Sequence, residues 1–197
     1  SPGVKRLAQA AIVMIFLLCQ SACDLLQTRD PEPPSQNTST FIPPTSYDIV
    51  LRNLQFAFAE DNVDNYLRCF VDSTYRQYEF IPAPEARARF ASIFSQWSLE
   101  SERRYFQNLG GPSNGAPSLT FPAQSPIYTG TDSVIYNLNY TLFFPHRRDG
   151  IPQAVQGNMQ LYLGVDTKKL WAIYRWQDSR TTTDSTWSYW KAVFSGS

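Results

Sequence analysis

Few side chains in this 197-residue sequence have the makings of a reactive group, and each of them has a second, plainer use. Glu79 stands between Tyr78 and Phe80 in an extended apolar segment. On a strand, alternation puts it on the face opposite those two aromatics. Turned into an interior, such a carboxylate loses hydration, its pKa rises and it can work as a general base; turned outward, it is solvated or paired. His146 is the sole histidine, and Pro145-His146-Arg147-Arg148-Asp149-Gly150 reads as an exposed loop, so no Asp–His pair is available for catalysis. Asp178 closes a strand and suits a cap on the turn after it; Asp64 suits the start of a helix, where its charge complements the dipole. Tyr78, Tyr136, Tyr140, Trp171, Tyr174 and Trp176 have the size and chemistry to line a pocket for an apolar or ring-bearing ligand, although aromatic stripes on strands also build cores. The pairs Arg87/Arg89 and Arg103/Arg104 fit an anion site or the solvated face of an amphipathic helix.

The counts narrow the classes. Seventeen Lys+Arg balance seventeen Asp+Glu, so the basic surplus that tracks nucleic-acid phosphates is missing. With Cys19 and Cys23 in the leading segment, one histidine and one cysteine remain, too few for a structural zinc site, and no metal or cofactor is expected. The sequence has no P-loop, GxGxxG or HExxH. Aromatics reach 15% and charged residues only 17%, the composition of a packed domain.

The first residues read as an address. Lys5-Arg6 precede an apolar run from Leu7 to Leu18, and small residues follow it. Such a run rises only about 18 Å as a helix, short of the roughly 30 Å bilayer core. The pattern is that of a secretory signal. Ser21-Ala22-Cys23 resembles the cleavage site of a bacterial lipoprotein signal peptide, with Gln20 where that family usually has Leu. The resemblance implies that residues 1–22 are removed and that Cys23 carries a lipid anchoring the protein to a membrane of the cell envelope. Residues 23–45, rich in Pro, Ser and Thr, then read as a tether holding a domain of residues 46–197 off the bilayer. That leaves Cys69 as a free, half-buried thiol.

The elements that must position the candidates follow from periodicity. Thr45 and Asp48 suit a capping box ahead of an amphipathic helix carrying Tyr47, Val50, Leu51, Leu54 and Phe58. A second short helix carries Val63, Tyr66, Leu67 and Phe70, and Tyr75–Ile81 predicts a strand. Ala86, Phe90, Ile93 and Phe94 predict one helix opened by Pro84. Ser98 caps a further helix, with Glu100 and Glu102 in its first turn, Leu99, Phe106 and Leu109 inward and Gly110-Gly111 as its stop. The period then becomes two: a short strand at Leu119–Phe121, then long ones at Ser133–Phe144, Val155–Val165 and Leu170–Gln177, with a turn at Asp166–Lys169. Trp187, Trp190, Val193 and Phe194 suggest a closing helical turn. Helices first and an antiparallel meander afterwards give an α+β fold with the helices on one sheet face. The opposite face, with Asn137, Asn139, Gln156, Asn158 and Gln160, meets water or a partner.

This order resembles the nuclear transport factor 2-like (SnoaL-like) superfamily. The matching points are the opening helix, then Asp64-Asn65-Tyr66-Leu67-Arg68-Cys69-Phe70, the Tyr78-Glu79-Phe80 strand, and Leu170-Trp171-Ala172-Ile173-Tyr174-Arg175-Trp176-Gln177-Asp178 near the end. The resemblance implies a curved sheet wrapped around helices as a cone with an apolar interior, and homodimers are common on the fold. Three functions follow as expectations. The leading one is a membrane-anchored envelope lipoprotein, leaning away from catalysis, that binds a small apolar ligand or a protein partner through the cone. The others are a cofactor-free isomerase or dehydratase with Glu79 as base, and an assembly module using the Asn/Gln sheet face.

Overall fold

A computed structural model describes residues 39–196; the expected signal segment, Cys19, Cys23 and the expected tether through residue 38 lie outside the described residues. The helical half comes first. Helices α1 (Tyr47–Ala59) and α2 (Val63–Leu67) are followed by strand β1 (Glu79–Ile81), then α3 (Pro84–Arg89), α4 (Ala91–Phe94) and α5 (Leu99–Asn108). The sheet half comprises β2 (Ser118–Thr120), β3 (Pro126–Thr129), β4 (Ser133–Phe143), β5 (Ala154–Val165) and β6 (Trp171–Ser179), and α6 (Trp187–Ser195) closes the chain. The strands lie in the order β1-β6-β5-β4-β2, with β3 also on β4, so β2 and β3 share one edge. All pairings are antiparallel except β1 on β6, which is parallel. A bulge between Tyr162 and Leu163 breaks the β5–β6 register, and such bulges bend and coil a sheet. No helix among the described residues is long and apolar enough to cross a membrane.

Alternation on β4 does what the sequence predicts: Val134, Tyr136, Leu138, Tyr140 and Leu142 are buried, while Asn137, Asn139 and Thr141 are exposed. The buried face packs against α1, α5 and α6, whose apolar stripes complete one continuous core. Four local expectations change. The strand predicted over Tyr75–Ile81 shrinks to Glu79–Ile81, because Asp72 nucleates a turn: its Oδ1 accepts from the Thr74 backbone and hydroxyl, and its carbonyl accepts from the Tyr75 and Arg76 amides. The single helix predicted through Phe94 breaks at Phe90 (φ −125°, ψ 39°), outside the α region. The cap of α1 is Ser46 rather than Thr45, and its hydroxyl donates to Asp48. Strand β3 had no periodic signal, since three of its four residues are exposed.

The last residues of the expected tether are bound to the body. The buried Asn53 side chain of α1 accepts from the Ile42 amide (3.0 Å) and donates to the Ile42 carbonyl (2.8 Å), as a strand neighbour would. Glu60 Oε2 accepts from the Thr40 amide, and the Pro44 carbonyl accepts from the Trp171 amide, each at 2.8 Å. Residues 39–45 therefore form a strap along the domain.

Candidate functional site

Two places in the fold collect chemistry. The first is the interior. Leu99, Glu102, Phe106 and Leu109 recur at helical spacing, so Glu102 falls on the apolar stripe of α5 and is carried into the core; it is wholly buried. On α6, Lys191 stands four residues after Trp187 and three before Phe194, and the same reasoning buries it completely. The two meet: Lys191 Nζ donates to Glu102 Oε1 at 2.6 Å. Tyr78 Oη and Trp97 Nε1 donate to the same oxygen, each at 2.8 Å, and Tyr66 Oη donates to Oε2 at 2.7 Å. The ammonium also lies 3.5 Å from the centre of the Trp176 ring system and 3.9 Å from that of Phe80. A buried pair of charges is tolerable only when its remaining lone pairs and protons are satisfied, and these aromatic partners do that.

Desolvation sets the local pKa directions. Burial pushes Lys191 down to about 8, against the pull of the Glu102 charge. Burial, and then the Glu102 charge, raise Tyr66, Tyr78 and Tyr105 well above the ordinary phenol value. Next to this cluster Asp178 is buried, with Tyr140 Oη donating to Oδ1 (2.9 Å) and the Ser188 amide donating to Oδ2 (2.8 Å). Burial raises its pKa, and the Ser188 bonds pull the other way. Asp178 thus ties the end of β6 to the first turn of α6, whose cap is Thr186, rather than capping the turn directly after its strand.

The sequence-derived candidates are distributed as follows. Glu79 is on the outer face: its side chain is 58% exposed and lies 3.4 Å from the Arg175 guanidinium. It borders a shallow open hollow of about 360 Å³ shared with Tyr78, Phe80 and Trp97, and does not enter the interior. Of the aromatics expected to line a ligand pocket, Tyr78, Tyr136, Tyr140 and Trp176 are core residues in contact with other protein groups. Trp171, buried in the core as well, and Tyr174 reach the sheet rim. His146, expected in an exposed loop, is buried, because the chain folds back over it: Nε2 bonds the Pro152 carbonyl (2.9 Å) and Nδ1 accepts from the Arg148 amide (3.1 Å). With Nε2 donating and Nδ1 accepting, the ring staples the loop. Cys69 is buried rather than half-buried, and burial raises its thiol pKa. Asp64 is exposed and pairs with Arg103 at 3.3 Å. Arg87 and Arg89 are exposed on α3, with Arg89 over the Phe90 ring. The Asn/Gln stripe is partly self-bonded, Asn158 donating to Asn139 and Gln156 to Thr182.

The second place is a rim groove of about 230 Å³ between the strap and the β5–β6 turn. Phe41 and Pro44 of the strap face Phe70, Val71, Leu170 and Trp171 across it. Two guanidinium groups belong to it: Arg68 lies 3.6 Å from the centre of the Phe41 ring and Arg76 lies 3.2 Å from that of Tyr174. Gly164 makes the second stack possible, since a Cβ there would stand 2.9 Å from Arg76 Nη1. Sequence reasoning missed both Glu102–Lys191 and this groove. The first had a signal, a charge on each of two apolar stripes; the second joins segments about a hundred residues apart and had none.

No family model and no curated protein matches the sequence. Solved structures do resemble it. A proposed aromatic ring hydroxylase from Novosphingobium aromaticivorans is 11% identical with a TM-score of 0.51, over 74% of this chain and 94% of its own. A nuclear transport factor 2-like superfamily protein from Salmonella enterica is 11% identical with a TM-score of 0.50, over 68% and 88%. A proposed scytalone dehydratase from N. aromaticivorans is 12% identical with a TM-score of 0.50, over 70% and 83%. The fold is therefore nuclear transport factor 2-like: α+β, a curved sheet closing on helices as a cone. That architecture hosts dehydratases, isomerases and binding domains alike, and the fold alone selects none of them.

Proposed function

We propose that this protein is an exported bacterial lipoprotein, held at the cell envelope through Cys23, whose cone-shaped domain acts by binding rather than by catalysis. One observation carries the second half of that reading. The space that a ligand would occupy inside the cone is taken by the domain's own side chains, with Glu102 and Lys191 wholly buried and partnered within an aromatic shell. Binding then falls to the outside of the cone. The first half is supported by Lys5-Arg6, the apolar run after them and Ser21-Ala22-Cys23. Lipid chains supply about 0.8 kcal/mol per buried methylene, enough in combination to hold a small domain at a bilayer. The test is Cys23→Ser expressed in a bacterial host. The expected result is loss of acyl mass from the mature N-terminus and release from the membrane fraction. Unchanged fractionation, or a mature chain that starts elsewhere without lipid, overturns the anchor.

A second reading has its own observation. The hollow beside Glu79 reaches Tyr78 and Trp97, both donors to Glu102. A swing of Trp97 would open the interior to solvent and give a cofactor-free isomerase or dehydratase, with Glu79 at the mouth and the Glu102–Lys191 pair behind it. That reading requires Lys191 to be reachable by small reagents in the folded protein.

A further inference from the structure

The rim groove has the composition of a binding site. Its floor is apolar, formed by Phe70, Leu170 and Trp171. Its volume, about 230 Å³, lies below the roughly 300–1,000 Å³ of sites for drug-sized ligands, so an occupant is small. Its two guanidinium carbons stand 3.6 and 3.2 Å over the centres of aromatic rings, which holds the groups in place and leaves N–H donors for a ligand. Among the described residues neither is in an ion pair; Arg68 donates only to Asn65 Oδ1 at 3.3 Å. One oxygen of each of the groove's two carboxylates is committed to a turn. Asp72 Oδ1 accepts from Thr74 twice, and Asp166 Oδ1 accepts from the Lys168 and Leu170 amides at 2.8 and 2.9 Å. Those same carboxylates set the charge of a suitable ligand. With two guanidinium groups set against these two carboxylates the four charges cancel, so a dianion would meet more repulsion than a single carboxylate, which fits the guanidinium fork.

We propose that this groove binds a small amphipathic monocarboxylate, an arylalkyl or medium-chain acid, with its carboxylate on Arg68 and Arg76 and its apolar body on Phe70, Leu170 and Trp171. The proposal rests on reading the domain as a binding module. Because Phe41 and Pro44 form one wall, a bound acid also holds the strap against the body.

The test is an NMR titration of the full chain with phenylacetate and octanoate, with 2-phenylethanol and inorganic phosphate as controls. The expected result is saturable shifts confined to Phe41, Gly164, Leu170 and the Trp171 indole, with both controls at least tenfold weaker. Arg76→Met and Arg68→Met, at exposed positions, should each weaken the acids at least fivefold without changing the spectrum elsewhere. Equal binding of the alcohol, or of phosphate, overturns the proposal, as does no shift with either acid up to millimolar concentration. An N-acetyl tripeptide ending in Phe, binding tenfold tighter than phenylacetate, would assign the site to protein C-termini and overturn the small-molecule claim. Failure of the underlying reading looks different: the acids would then shift Trp97, Tyr78 and Lys191 inside the cone.

Discussion

The interior cluster and the rim groove are built from the same parts and end in opposite states. Each sets cationic groups against aromatic rings with carboxylates close by. Inside, Lys191 has a carboxylate oxygen at 2.6 Å and two ring faces within 4 Å, and Glu102 is surrounded by four donors. At the rim, Arg68 and Arg76 stand over aromatic rings and are exposed to water. The difference is desolvation. A buried charge must find every partner inside the protein, and once it has done so nothing is left for a ligand. An exposed guanidinium is kept company by water and gives that water up cheaply. The lesson is that the most perturbed group in a structure need not be its working group; spare bonding capacity matters more than the size of a shift.

The comparison breaks most visibly at Glu102. Glu102→Gln leaves an ammonium buried without its counter-charge and should cost about 3–5 kcal/mol, measured by urea denaturation. Adding Lys191→Met to that variant should recover more than half of the loss, because the orphan charge goes with it. A double variant no more stable than the single one would mean that the pair is held open to water. Near the cluster, an added Cβ at Gly157 would stand 2.6 Å from Tyr140 Oη, which is buried between Asp178 and the Trp187 amide. Gly157→Ala should therefore cost about 1–3 kcal/mol. At the strap, Asn53→Ala removes both bonds to Ile42 and should cost about 1–2 kcal/mol, with new proteolytic cleavage between residues 39 and 45. At the rim, Arg76→Met should cost about 0.5–1 kcal/mol, the worth of an exposed cation–π contact, and Glu79→Gln less than about 0.5 kcal/mol. A larger effect of either would move that residue into the structural framework.

pH separates the two regions again. Lys191 has a lowered folded-state pKa, about 8 against 10.5, so above pH 8 the unfolded chain holds the proton that the folded one has released. Stability from this group therefore rises with pH from about 8, until the buried tyrosines, whose folded pKa values are raised, reverse the trend above 10. In Lys191→Met the rise between pH 8 and 10 should vanish. Persistence of the rise would assign it to another group.

Legibility in the sequence followed the same divide. The long strands were readable because a half-buried antiparallel sheet writes its two faces into alternate residues, and Val134 to Leu142 obey that rule. The cap of α5 was readable: Ser98 caps as expected, its hydroxyl accepting from the Ser101 amide. Glu102 was read only as one of two acids in a first turn, yet its spacing from Leu99 and Phe106 pointed inward. His146 was misread because its neighbours Arg147, Arg148 and Asp149 are polar; what buries it is a fold-back through Pro152 and Trp190 that no local pattern encodes. The groove, assembled from the strap, the segment after α2 and the β5–β6 turn, exists only in three dimensions.

The central claim, a sealed interior, is tested most directly by lysine acylation followed by mass spectrometry at pH 8.5 on the folded protein. The chain has four lysines: Lys5, Lys168, Lys169 and Lys191. With a pKa near 8, Lys191 would be among the most nucleophilic amines of the protein if a reagent could reach it. The expected result is rapid labelling of the exposed Lys168 and Lys169, with Lys191 protected until the domain unfolds. Labelling of Lys191 at a rate matching or exceeding that of Lys168 in the folded protein would contradict the sealed cone and turn the interior back into a candidate active site.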